Sequence, residues 1–137
     1  MKKVYDLKAL QNLDSMHDQR INCMELKEKK LILHYTKLHH NKITNFHSCD
    51  VVFWGVEEAD VFAEVRKKTG LNVEGTGYYD MDFLRFIENN QYSIETIRYY
   101  HSYGIVIIQA VLVGENAKYY DDCIIRISAE KVSYIWK

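Results

Sequence analysis

The chain contains no proline. Its turns must therefore be built from Gly, Asn, Asp, Lys and Glu. Cysteine is scarce and odd in number: Cys23, Cys49 and Cys123 lie far apart, with no CxxC pair. Each falls in a strand-like run, so three buried, reduced thiols are expected. No apolar run approaches the ~20 residues a membrane helix needs. The basic opening Met1-Lys2-Lys3 has no apolar stretch behind it, so neither a signal peptide nor a membrane partner is expected, and the expected location is cytoplasmic. Charge of one sign is also missing. Eighteen basic and 19 acidic residues leave a net charge of −1, which argues against a nucleic-acid binder with its basic footprint. Gly70, Gly75 and Gly77 form neither a GxxxxGK[ST] loop nor a strand-to-helix GxGxxG, so a phosphate-cradling loop is absent from the sequence.

What remains is a chain of 137 residues, 47% apolar and 27% charged. That length suits one domain, 1–137, with enough burial to hold a core without staples. Eleven tyrosines and many β-branched residues favour strand. The most informative stretch is 105–113, IVIIQAVLV, apolar on both alternating faces except at Gln109. Such a strand is expected to be covered on both sides and central in its sheet. With 97–100 before it and Gly104 at the connection, it makes a hairpin over about 93–114.

Period-two alternation marks further strands at 20–26, 31–38, 45–54, 119–127 and around 132–136. Ile107, Val111, Ile125 and Trp54 are the expected core markers. Residues 81–88 read as a helix, with Asp80 or Asp82 as N-cap. Residues 2–16 read as a short helix or an arm across the sheet, and 71–77 as a flexible connector. Segment 57–68 is contested. Glu57, Glu58 and Asp60 at its start, Arg66-Lys67-Lys68 at its end and Gly70 beyond complement a helix dipole. Val61, Ala63 and Val65 equally fit one face of a strand.

Three constellations could carry chemistry. His17 beside Asp18, with Arg20 nearby, could be a ligand pair or an acid–base element. Neighbours in an extended chain point apart, however, so backbone hydrogen bonding is the plainer reading. His34, His39, His40, His47 and Cys49 crowd the segment 34–49 in a pattern that matches no zinc motif. Cys49 and His47 share a strand face, but no oxyanion site or orienting partner accompanies them. The tyrosines suit either sheet packing or an interface. Tyr99, Tyr100, Tyr103, Tyr119 and Tyr120 are the candidates for an interaction surface.

Several short motifs run through most of the chain: His17-Asp18-Gln19-Arg20-Ile21, Phe53-Trp54-Gly55-Val56 and, near the C-terminus, Tyr134-Ile135-Trp136. In this the sequence resembles a group of small, β-rich bacterial proteins that carry an HD-x-R/E-I opening, a strand ending in F-x-G-V and a C-terminal Y-x-W. More loosely, it is similar to immunity proteins of polymorphic toxin systems. The resemblance implies an extended run after G-V, which moves residues 60–66, from Asp60 to Arg66, to strand. It implies no catalytic residues.

The expected fold is mainly β: an antiparallel meander of six or seven strands, as a curved sheet or partly open barrel, with one packed helix. The expected function is a non-catalytic binding module for another protein, of the immunity type, with no cofactor and no catalytic or metal residues. The rival is a metal-binding protein or small hydrolase using His17, Asp18 and the histidine-rich segment.

Overall fold

Apolar side chains recur at every second position through most of the chain, and strands follow. The computed structural model describes residues 1–7, 13, 14, 16–38, 46–69, 72–114 and 121–137, with backbone alone at 68, 69, 72 and 73. Among these, the order is β1 (Lys2–Asp6), β2 (Arg20–Ile21), β3 (Cys23–Lys27), β4 (Lys30–Tyr35), β5 (Cys49–Trp54), β6 (Val61–Thr69), β7 (Asn72–Tyr79), α1 (Asp82–Asn89), β8 (Ser93–Ser102), β9 (Ile105–Val113), β10 (Asp121–Ser128) and β11 (Lys131–Trp136). The fold is mainly β and antiparallel, with one α-helix, as the alternation implied. The strands divide into two sheets that are not closed into a barrel, and among the described residues they outnumber the six or seven expected. Five strands form sheet A, in the order β1-β11-β5-β4-β3; six form sheet B, in the order β2-β8-β9-β10-β6-β7.

The two sheets bury their inner faces against each other. Sheet A contributes Leu31, Leu33, Tyr35, Val51, Phe53, Val132 and Tyr134; sheet B contributes Ile94, Val106, Ile108, Ala63, Val65, Ile125 and Ile127. Helix α1 adds Phe83, Leu84 and Ile87, and its Phe86 stacks on Tyr78 of β7 at 4.6 Å. The chain passes between sheets at Asn22, which splits the expected strand 20–26 into β2 and β3. Asn22 N–H donates to the His34 carbonyl, and its side-chain oxygen accepts from Thr36 N–H and hydroxyl. The corner reverses the facing of the next residue, so Cys23 is exposed rather than buried. Cys49 and Cys123 are buried, as expected.

Segment 57–68 is a strand from Val61 onward. Its helical chemistry is consumed by one 3-10 turn, Glu58–Asp60, where Glu57 N–H donates to the Asp60 carboxylate at 2.8 Å. Beyond it, β6 is paired on both sides, to β10 and β7, and buries Val61, Ala63 and Val65. Two ladders outweigh the local helix preference. The expected connector 71–77 is mostly strand β7. Its glycines face the outer surface, where β6 side chains lie over them: a Cβ at Gly77 would stand 3.2 Å from the Phe62 ring, and one at Gly75 would stand 2.9 Å from the Glu64 carboxylate. Within the segment read as a short helix or arm, Lys2–Asp6 are strand β1, and residues 8–12 and 15 lie outside the described residues. At α1 the N-cap is Met81, and neither aspartate caps it.

The hairpin β8–β9 is central in sheet B, turning at Tyr103-Gly104, both at positive φ. Only one face of β9 is covered, however. Val106, Ile108, Ala110 and Leu112 are buried, whereas Ile107 is 38% exposed and Val111 only partly buried. Trp54 is also half-buried, on the outer face of sheet A. Of the four expected core markers, only Ile125 is fully buried. Alternation located these strands, but with apolar residues on both faces of β9 it could not say which face turned inward.

Candidate interaction surface

Cross-strand register assembles one row on the outer face of sheet B. Tyr100 on β8 is opposite Ile107 on β9. Ile107 is opposite Arg126 on β10, Arg126 opposite Phe62 on β6, and Phe62 opposite Tyr79 on β7. Four strand spacings make the row roughly 19 Å long. Tyr79 is 66% exposed, Tyr100 47% and Ile107 38%. The rings of Phe62 and Tyr79 meet at 4.9 Å, and the Arg98 guanidinium lies 5.7 Å over the Tyr100 ring. Beside this row runs a second, Arg98, Gln109, Ile124, Glu64 and Gly77, and then a third, Glu95, Val111, Asp122, Arg66 and Gly75. Arg66 Nε donates to Glu64 at 3.0 Å. The surface is therefore aromatic and aliphatic along one line except for Arg126 at its centre, and it is flanked by charges of both signs.

A β-bulge sets which tyrosines reach this face. Pairing between β8 and β9 shifts at Thr96/Arg98. Strict alternation from Ile94 and Thr96 would have carried Arg98 and Tyr100 inward. The extra residue, Ile97, resets the phase. Thr96 and Tyr99 are buried and Tyr100 turns outward. Tyr99 thus belongs to the core, where its hydroxyl meets that of Tyr35 at 2.5 Å. Burial first, and then the charges of Tyr35 and Tyr134, push its phenol well above the usual value. Of the other candidate tyrosines, Tyr103 is 82% exposed at the hairpin turn; Tyr119 and Tyr120 lie outside the described residues. The sequence reading missed Phe62, Tyr79, Ile107 and Arg126, whose common signal is position on one register line.

The residues His17, Asp18 and Arg20 converge on the bulge. His17 Nδ1 donates to the Ile97 carbonyl at 2.8 Å; because a carbonyl only accepts, Nδ1 carries the proton. Asp18 N–H donates to the Thr96 carbonyl at 2.9 Å. Arg20 Nε donates to Glu95 at 3.4 Å. His17 Nε2 stands 3.3 Å from the Asp18 carboxylate, both side chains being largely exposed. This segment clamps β8 where its ladder is interrupted.

The histidine-rich segment is divided by the fold. His34 lies on the outer face of sheet A, its Nδ1 2.8 Å from Asp50 and its Nε2 2.8 Å from Glu25. Asp50 also accepts from Lys137 at 2.7 Å. Burial disfavours the charged imidazole, but the hydrogen bonds to Glu25 and Asp50 outweigh it and hold His34 above its usual value. Cys49 is on the opposite, inner face, where burial pushes its thiol up to about 12. His47 is exposed, and His39 and His40 lie outside the described residues. Among the described residues, no three His, Cys, Asp or Glu side chains are grouped to hold a metal ion, and no helix is long and apolar enough to cross a membrane. No family model, curated protein or solved structure matches the chain.

Proposed function

We propose that this chain is a non-catalytic protein-binding module of the immunity type, sequestering a toxin domain against the outer face of sheet B. The observation that supports it is the row Tyr100, Ile107, Arg126, Phe62 and Tyr79. Tyr and Arg are among the residues that most often dominate binding energy, and a line of aromatic and aliphatic side chains with an arginine among them has the composition of interface centres. The row stands on five paired strands, so its side chains are presented without loop ordering on binding. His17, Asp18 and Arg20 have a part in this reading as positioning residues, because they fix the bulge that turns Tyr100 outward.

The test is a photo-reactive phenylalanine derivative placed at position 107, with a control at the exposed Asn89 of α1, in cells of the natural source. The expected result is one protein adduct from position 107, none from 89, and its loss on adding Arg126→Glu. That protein alone should arrest growth, and co-expression of the wild-type chain, but not of Ile107→Lys, should restore it. Equal adducts from both positions would overturn the surface; a captured partner without toxicity would overturn the immunity reading.

A further inference from the structure

The outer face of sheet A carries a different line. Lys27 on β3 is opposite Lys30 on β4, Lys30 is opposite Trp54 on β5, and Trp54 is opposite Lys131 on β11. The Lys30 ammonium lies 4.4 Å from the Trp54 ring centroid, that of Lys131 4.6 Å and that of Lys2 5.8 Å. Trp54 Nε1 donates to Ser133 Oγ at 2.8 Å, which anchors the indole across the sheet and helps to cover Val52 and Ser133. The row ends at Asp6, opposite Lys131. Lys3, Lys29, Arg66 and Lys137, by contrast, each pair with a carboxylate, of Asp14, Glu57, Glu64 and Asp50. Among the described residues, no carboxylate stands within 4.0 Å of the Lys2, Lys27, Lys30 or Lys131 ammonium.

Like charges directly across a strand pair repel. Attraction to the indole offsets part of this, since an ammonium over tryptophan is favourable, but it neutralises no charge. In a chain of net charge −1, three ammonium groups are gathered around one ring, with Asp6 beyond them at the Lys131 end of the row. The shape of the row restricts what could balance it. Lys27, Lys30 and Lys131 stand along a backbone row of roughly 14 Å on the outer sheet face, with the Lys30 and Lys131 positions on opposite sides of Trp54. A compact phosphate would meet one or two of them; an extended chain bearing repeated carboxylates would meet them all. Lys30 and Lys131 occupy the ring, which removes the open stacking platform that single-stranded nucleic acid uses.

We infer that the Lys27-Lys30-Trp54-Lys131 row, with Lys2, is a docking site for an extended acidic segment of a protein partner. This face is on the other sheet from the Tyr100–Tyr79 row, and its test does not depend on that row's function.

The probe is hexaglutamate, titrated into the full chain. The readout is the Trp54 indole N–H resonance, assigned by its loss in Trp54→Phe. A saturable shift is expected that weakens steeply with added salt. Lys30→Gln with Lys131→Gln should lower the affinity about tenfold, as two ion-pair losses would, while Lys67→Gln on sheet B leaves it unchanged. Thermal melts of each variant verify the fold. No shift, or a shift indifferent to the double substitution, would overturn the site. Binding of tripolyphosphate or of a single-stranded oligonucleotide with hexaglutamate silent would overturn the acidic-protein assignment.

Discussion

Removing the hydroxyl of Tyr35 should destabilise the fold far more than the loss of one oxygen suggests. Tyr35 is on sheet A, fully buried, and its hydroxyl meets Thr96 Oγ1 at 2.8 Å and the Tyr99 hydroxyl at 2.5 Å, both on sheet B. It is thus a polar bridge through an apolar core. In Tyr35→Phe, two buried hydroxyls lose this partner. A net hydrogen bond is worth about 1 kcal/mol and an orphaned buried hydroxyl costs about 1–3 kcal/mol. The expected loss is therefore about 2–3 kcal/mol. Tyr99→Phe should cost about 1 kcal/mol, because Tyr35 keeps Thr96. In the double variant the orphan on Tyr99 no longer exists, so its loss should be close to that of Tyr35→Phe alone. The cycle should therefore show a coupling of about 1 kcal/mol or more. Urea unfolding followed by far-ultraviolet circular dichroism reads this as a midpoint shift of roughly 1 M for Tyr35→Phe, given slopes of about 1–3 kcal/mol per M. Strictly additive single effects, or a Tyr35→Phe midpoint equal to wild type, would refute the bridge.

Three further outcomes follow from the same geometry. Ile108→Ala, at a fully buried position, should cost about 2–5 kcal/mol, whereas Ile107→Ala, 38% exposed, should cost under about 1 kcal/mol; the reverse order in chemical denaturation would mean that β9 is flipped. Alkylation of the folded chain should modify Cys23 alone, with all three thiols reacting in denaturant, because Cys49 and Cys123 are buried with thiols pushed up to about 12; mass spectrometry counts the adducts, and two or more on the native chain would contradict the burial. The His34 network should give a pH-dependent contribution. With the folded value raised, the charged imidazole stabilises fully below the unfolded value of about 6.5 and the benefit is lost as pH rises through the higher folded value. Asp50 is held low, by Lys137 and then His34 against the effect of burial, so its benefit is present above about pH 4 and lost in stronger acid. The melting-temperature gap between wild type and His34→Asn should therefore be widest near pH 5–6 and close in alkali; a gap constant from about pH 5 to 9 would exclude the charged network.

Legibility in the sequence tracked how far each element's placement depends on itself. The β8–β9 hairpin could be read because its signals are local: a nine-residue run rich in β-branched residues and a glycine at the turn, where φ is indeed positive. Helix α1 was legible for the same reason, through Phe83, Leu84 and Ile87 at helical spacing. Segment 57–68 was not legible from its own residues, because its local charges favour a helix while its two neighbours supply a ladder on each side; the reading of 60–66 as strand came only from the resemblance and agrees with β6. Strand β7 was hidden by glycines whose purpose lies on β6, in the Phe62 ring and the Glu64 side chain.

The surfaces were the least legible part, and the reason is register. Tyr99 and Tyr100 are adjacent in sequence and chemically identical, yet one completes the inter-sheet bridge and the other faces solvent. That division is made by one extra residue at Ile97, and no residue type there announces it. The residues that stabilise the extra residue are eighty positions away, in His17 and Asp18, each donating a hydrogen bond to a carbonyl at the bulge. A motif that looks like chemistry in one dimension is thereby a determinant of facing in three. If that is correct, His17→Ala should act on the surface more than on the core. Loss of an exposed hydrogen bond should cost about 1 kcal/mol or less in stability. The Tyr100 and Ile107 resonances should nevertheless shift or broaden as β8 samples an unbulged pairing, in which Arg98 would be driven inward. Spectra of His17→Ala that change only around residues 16–20 would show that the bulge is held without His17, by Asp18 N–H, the Gln19 carbonyl and the β2 and β9 ladders.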